Sequence, residues 1–310
     1  MGKLETLNGY TLGALLGKAG EGSVYEATSP GGVKVALKIF DRSETVSGNK
    51  ISDTFSNLQQ VDSPFVVEVI EYFVHESKPV FVMEYIEGSS LEQLMKSGEH
   101  LEYELVIGTM SQVALGLRDL HAAGYLHGEI NNQGQVMIQP NGGAKLIDVH
   151  ALTAAEDTKL GEVRHFGALI FNSLSHWALI TPFCDILEST EEIHPEDFIK
   201  IMEKGEQLAH KNHRKLKHFG YFVEEWVGGH GQIDFEALKV VHKLTRFGKP
   251  GGYQTLDEAS AELSLLANKK PNEVASSQHR ITKPQLSVRT ACPLIPESAQ
   301  KQSKGPHTIR

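Results

Sequence analysis

With 310 residues, 40% apolar and 22% charged, the chain has ordinary globular composition, which excludes a collagen-like, disulfide-scaffold or wholly disordered protein. Its net charge of −9 is unevenly held: residues 269–310 carry eight Lys/Arg against Glu273 and Glu297, leaving that stretch at +6 and the rest at −15. An acidic body, and a basic end without interleaved aromatics, argue against nucleic acid as a partner. No run approaches the roughly 20 apolar residues of a membrane span, and Cys184 and Cys292 are spaced as two free thiols of a reducing, cytoplasmic setting.

From Tyr10 to Phe40 the apolar residues alternate, with a turn cluster at Ser29-Pro30-Gly31-Gly32, which predicts three antiparallel strands joined by hairpins. Ile51, Phe55, Leu58 and Val61 then recur at helical spacing, and Val66–Val74 and Val80–Tyr85 give two further strands. After a break at Glu87-Gly88-Ser89-Ser90 the pattern turns helical: Val106, Met110, Val113, Leu117 and Leu120 predict a long core helix. Val136–Ile138 and Ala144–Ile147 form a short hairpin around Asn141-Gly142-Gly143, and helices follow, one with the stripe Val163, Phe166, Leu169, Ile170 and Leu174. The last opens with Thr255 and Glu258 at capping-box spacing.

A sheet lobe followed by a helical lobe, with a crevice between, is an α+β arrangement. We place one domain over 8–268, with lobes at 8–86 and 87–268, and read 269–310, rich in Lys, Ser, Gln and Pro, as a disordered tail. His210, His213 and His218 lie among Lys211, Arg214, Lys215 and Lys217, which would repel a cation, so they read as a solvated basic helix.

Two stretches carry chemistry. Leu16-Gly17-Lys18-Ala19-Gly20-Glu21-Gly22-Ser23-Val24 spans a strand-to-strand turn, where glycines let the backbone close over a phosphate chain and offer it N–H groups. In the next strand, Val33 to Phe40, alternation puts Ala36 and Lys38 on the face opposite Val35, Leu37 and Ile39. Gly17, Gly22 and Val24 with Val35-Ala36-Leu37-Lys38 resemble the glycine loop and strand lysine of the protein kinases, bacterial Ser/Thr type included, with Ala19 where the family has its middle glycine. Val82-Met83-Glu84-Tyr85-Ile86-Glu87-Gly88 is similar to the interlobe hinge, Tyr125-Leu126-His127 to the start of the catalytic loop, and Lys145-Leu146-Ile147-Asp148 to the strand leading to the metal aspartate.

The resemblance implies a two-lobed kinase-like fold and an ATP site made of Gly17, Ala19, Gly22, Val24, Ala36, Lys38, Met83, Glu84, Ile86 and Asp148, with Asp148 as the magnesium ligand. The catalytic positions fall on Lys38 and Glu129. The pattern then breaks in several places. The glutamate that should pair with Lys38 falls on Thr54; Asp53 is adjacent but about 100° around the helix. That leaves Asp148 as the expected counter-charge for the ammonium. Glu129 replaces an aspartate base, and its extra methylene moves the carboxylate by about an ångström, enough to cost on the order of 100-fold. The asparagine for a second metal falls on Gly134, or on Gln135 with one insertion, neither a good hard-cation ligand; the alternative is Asn131 or Asn132 in a remodelled loop. The metal motif reads Asp148-Val149-His150, only some fourteen residues separate Asp148 from the Val163 stripe, and no Ala-Pro-Glu occurs there. The arginine that would pair with that glutamate is also missing near Gly251-Gly252-Tyr253, so both ends of one ion pair are gone.

The reading is a pseudokinase that holds ATP and serves as a scaffold or regulatory module for a protein partner. Its rival is an atypical Ser/Thr kinase using Glu129 as base and Asp148 with one magnesium.

Overall fold

The structure is a computed structural model, and it describes residues 6–19, 21–41, 45–46, 49–97, 101–130, 132–175 and 235–268. The expected tail, both cysteines and His210, His213 and His218 lie outside these residues.

The alternating Val, Ile, Tyr and Phe residues of the first third form one antiparallel sheet of six strands. They are β1 Thr6–Leu7, β2 Tyr10–Ala19, β3 Gly22–Thr28, β4 Lys34–Phe40, β7 Val69–His75 and β8 Lys78–Glu84, in the order β1-β2-β3-β4-β8-β7. A small hairpin, β5 Thr45–Val46 with β6 Asn49–Lys50, leads into helix α1 Ile51–Leu58. Strand β4 is central, pairing Val24 with Lys38 on one side and Met83 with Ala36 on the other. Val35 and Leu37 point into a core with Leu7, Tyr10, Leu12, Ala27, Val80 and Val82. Such burial contributes about 1.5–3 kcal/mol per large apolar side chain. Alternation then leaves Ala36 and Lys38 on the opposite face.

Three details differ from the sequence expectation. The sheet starts at Thr6, two residues before the expected domain start, because Leu7 is buried in that core. Helix α1 ends at Leu58, so Val61 lies beyond it: Gln59 and Gln60 close the last turn onto Phe55 and Asn57, and Pro64 soon follows. Val66 makes a single parallel bridge to Leu146, and the regular strand begins only at Val69.

Beyond the hinge come β9 Ser89–Ser90, α2 Leu91–Lys96, α3 Tyr103–Ala122, β10 Tyr125–Leu126, β11 Val136–Ile138, β12 Ala144–Leu146, β13 Leu152–Thr153 and α4 Glu156–Ser175. After a stretch outside the described residues come α5 Phe235–Thr245 and α6 Leu256–Ala267. Every residue of the expected α3 stripe is buried, and so is every residue of the α4 stripe. At Gly116 helix α3 passes close to β12 and to the chain at Phe65: a Cβ there would lie 2.9 Å from the Leu146 side chain and 3.1 Å from the Phe65 carbonyl oxygen. Its other side carries α6 through Ser111, whose hydroxyl is 2.7 Å from that of Ser264 and 3.2 Å from that of Ser260. At the start of α6 the Thr255 hydroxyl accepts from the Glu258 N–H, while the Glu258 carboxylate reaches back to the Gln254 N–H, one residue earlier than a capping box requires.

Candidate functional site

Lys38 emerges from β4 beneath the glycine-rich turn, almost wholly buried, with its ammonium 4.8 Å from the centre of the Phe40 ring. An ammonium this enclosed needs anions, and it has two. It is hydrogen-bonded to Asp148, as expected once Thr54 replaces the helix glutamate, and lies 3.7 Å from Glu21 of the turn above. Burial by itself would raise the Asp148 carboxyl; the charge and hydrogen bond of Lys38 outweigh that and hold it below the usual aspartate range. Thr54 is buried and donates its hydroxyl to the His150 carbonyl, so α1 is tied to the turn after Asp148 by a neutral bond instead of to Lys38 by a charge. Asp53 is exposed on the far side of the helix.

The roof depends on close backbone approach. At Gly22 a Cβ would meet the Ile39 carbonyl oxygen at 2.2 Å, so no other residue fits there. Gly17 pairs with Val24, and Ala19 with Gly22, along β2 and β3. At the hinge, Glu84 accepts from the Glu68 N–H at 2.9 Å and from Lys145 of β12 at 2.5 Å. Lys34 sits 3.9 Å over the Tyr85 ring. Gly88, at φ 141°, passes so near Ile138 that a Cβ would be 2.1 Å from its carbonyl oxygen. Behind Met83 a small cavity is lined by Lys38, Thr54, Phe81, Met83, Asp148 and His150, among others.

The floor is the loop from His127. That imidazole is completely buried, its Nε2 is 3.0 Å from the Ile147 carbonyl oxygen, and burial pushes it down to about 4. The loop is held from below by Glu162 of α4, which accepts from the backbone N–H groups of His127 and Gly128 at 3.2 and 2.9 Å and lies 2.8 Å from His121 Nε2. Burial would raise the Glu162 carboxyl, but the hydrogen bonds from His121 and Gly128 and the nearby imidazoles hold it below the ordinary range. Glu129 is half-buried two residues past His127 and does not line the cavity behind Met83. Gly134 brings no side chain; its N–H is taken by Asn132. Gln135 is buried, its carbonyl held by the Ile147 N–H immediately before β11.

The segment after Asp148 is shorter than the sequence suggested. Asp148 and Ala151 adopt φ of 60° and 45°, the chain doubles back, and β13 pairs with β10. Helix α4 begins at Glu156, so residues 149–155 alone connect it to Asp148. On the far side, Tyr253, at the expected arginine position, is buried and donates its hydroxyl to Glu262 at 2.8 Å.

Of the sequence-derived site residues, the cavity brings together Lys38, Met83 and Asp148; Gly17, Ala19, Gly22 and Val24 lie on the β2–β3 hairpin that forms the roof; Ala36 lies on β4 beside Met83; and Glu84 and Ile86 lie on the hinge. Sequence alone assigns no site role to Glu21, His150, Lys145 or Glu162, although the first three lie inside the motifs it singles out. A carboxylate interrupting a buried helix in the case of Glu162, and a histidine where the family has a glycine in the case of His150, were the available signals. For magnesium, Asp148 supplies one hard carboxylate, and the position expected to supply a second ligand is Gly134 or the buried Gln135. Among the described residues the donor set suits one magnesium ion and not two.

A curled antiparallel sheet over a helical lobe, with a lysine and an aspartate facing each other across the crevice, is the two-lobed α+β fold of protein kinases. The chain resembles that superfamily: residues 10–163 match the family model described as the protein kinase domain. It is 28% identical over 148 residues to the serine/threonine-protein kinase cek1 of Schizosaccharomyces pombe, covering 46% of this chain and 11% of that one. It is 30% identical over 158 residues to a probable serine/threonine-protein kinase of Streptomyces coelicolor, covering 48% and 23%. It is 28% identical over 155 residues to the CBL-interacting serine/threonine-protein kinase 19 of Arabidopsis thaliana, covering 49% and 32%. The chain thus spans a third or less of each of these relatives. Among the described residues no helix is long and apolar enough to cross a membrane.

Proposed function

We propose that the chain is a pseudokinase: a kinase-like domain that holds ATP with magnesium in its cleft and acts in the cytoplasm as a scaffold or regulatory module for a protein partner. The observation that carries this reading is the connection of Asp148 to α4 through residues 149–155 alone, too short to lay out a peptide-docking platform. Glu129 at the base position and Thr54 in place of a charged partner for Lys38 point the same way. Protein phosphorylation depends on positioning a hydroxyl in line with the terminal phosphorus, and that positioning is what the short segment lacks.

The nucleotide part rests on the retained pieces. Lys38 and Asp148 can exchange their mutual contact for a phosphate and a magnesium ion, the β2–β3 turn can offer N–H groups to the phosphate oxygens, and Val24, Ala36, Met83, Glu84 and Ile86 flank the adenine position. A bound magnesium ion would neutralise phosphate charge at Asp148. The rival reading, an atypical Ser/Thr kinase with Glu129 as base, draws on the Lys38–Asp148 pair, which keeps both residues in one cleft.

Transfer of radiolabelled phosphate from ATP, to the chain itself and to a generic Ser/Thr substrate, separates the two. No incorporation is expected. Incorporation that disappears in both Glu129→Gln and Lys38→Met would overturn the pseudokinase reading. A magnesium-dependent rise in Tm at millimolar ATP is expected, and its absence would remove nucleotide from the proposal. Retention of a partner by the full chain, and its loss without residues 269–310, would assign that contact to the basic end.

A further inference from the structure

The geometry points to a binding site for a divalent d-block cation, of which zinc is the chemical type, formed by Glu21, Asp148 and His150. The three side chains each offer one ligand atom, and those atoms all lie within 4.8 Å of one another. His150 Nε2 and Glu21 Oε2 are 3.4 Å apart. An ion with tetrahedral bonds of about 2.1 Å sets its ligands roughly 3.4 Å from each other, so this pair already stands at the edge length of such a site. Magnesium prefers oxygen donors in a near-octahedral shell, whereas an imidazole nitrogen beside two carboxylates is a zinc-type set.

The site is held in place before any ion arrives. His150 donates its backbone N–H to the His127 carbonyl at 2.8 Å, and its own carbonyl accepts from Thr54 at 3.2 Å. Its side chain is only 2% exposed, and Gly128 passes so close that a Cβ there would lie 3.0 Å from the His150 Cβ. Ligands locked by packing on rigid neighbours suit a metal better than exposed ones. Opposite, Glu21 Oε2 is cut off from solvent without a hydrogen-bond donor, a placement that calls for a cation. The cation nearby is Lys38, which bonds Asp148 and stands 3.7 Å from Glu21. One ammonium offsets only one of the two carboxylates. Lys38 therefore acts as an internal competitor, which a divalent ion must move aside. Because Glu21 belongs to the turn over the cleft and His150 to its floor, the ion would clamp roof to floor. The site needs no nucleotide, so it stands or falls separately from ATP binding.

The test uses the full chain, freed of metal by chelation and without nucleotide, titrated with zinc chloride by calorimetry and with cobalt(II) by visible absorption. One zinc per chain should be lost, or weakened at least tenfold, in both His150→Ala and Glu21→Gln, with the bands of tetrahedral cobalt lost alongside. Lys38→Met should tighten zinc by removing the competing ammonium, a gain that a merely structural role for these side chains would not produce. If His150→Ala fails to fold, Glu21→Gln, on a half-exposed turn, decides alone. Zinc and cobalt titrations that match wild type in Glu21→Gln, or magnesium competing on equal terms with zinc, would overturn the site.

Discussion

The roof and the floor of the cleft meet at the Lys38–Asp148 ion pair, with Glu21 beside His150, but are held by different means. On the roof, Lys38 is placed by strand alternation and by pairing with β3 and β8, where its cross-strand partners are the apolar Val24 and Phe81. On the floor, His127, Asp148 and His150 are placed by turns that pass through positive φ at Gly128, Asp148 and Ala151, and by one buried carboxylate, Glu162, reaching up from α4. Regular backbone holds the first region, so the family's residues survive there with little support. Single side chains hold the second. Changes at Glu129, Gly134 and His150 are tolerated there because the loop's anchor lies below it and not in the residues that would do chemistry.

That contrast can be broken at the anchor first. Glu162→Ala strands two backbone N–H groups and leaves His121 Nε2 without its carboxylate, and each buried donor left without an acceptor costs about 1–3 kcal/mol. A urea midpoint within error of wild type would show that the floor does not hang on α4.

Acid should find the floor next. His127 is held neutral down to about 4, against 6.5 for a free imidazole, so between those values the unfolded chain binds more protons. Its contribution is complete above pH 6.5 and declines as the pH falls toward 4, on the order of 3 kcal/mol in all. Asp148 and Glu162, both held below their ordinary ranges, add losses of the same sign further into acid. Tm measured from pH 8 to 5 should be flat and then fall below about 6.5, and the fall should shrink in His127→Asn.

Thr54→Val sharpens the link between roof and floor. It keeps the shape and removes the hydroxyl bond to His150, for a loss of about 1 kcal/mol by chemical denaturation. A neutral result would mean that the Asn57 bond to the Ala151 carbonyl, with the burial of Ile51 and Leu58, is enough to fix α1. Smallest of all, Lys34→Ala on the outer roof removes an exposed pair with Glu26 and a contact over Tyr85, and no resolvable change in Tm is expected.

Most of the sheet lobe and the stripes of α3 and α4 were legible because they rest on local periodicity, two along strands and three or four along helices. Lys38 and its pairing with Asp148 were legible for a different reason: the resemblance to protein kinases places both in one cleft, and with Thr54 at the helix position it leaves the ammonium without its usual partner. The gathering of Glu21 and Lys38 with His150 was not legible, since His150 lies more than a hundred positions from both and reaches them through turns whose direction no periodicity encodes. Turns of undetermined direction likewise hide Lys145 on Glu84 and Glu162 beneath the loop, at separations of 61 and 34 positions.

What the amino-acid order determined by itself is the succession of strands and helices, the face on which Lys38 stands and the residue types missing from the phosphotransfer machinery. Tertiary structure alone decided that the chain after Asp148 turns straight back onto β10 and that a buried glutamate carries the loop above it. Those outcomes depend on which distant backbone N–H groups and carbonyls must be satisfied once water is excluded, and that accounting closes only when the whole core has formed.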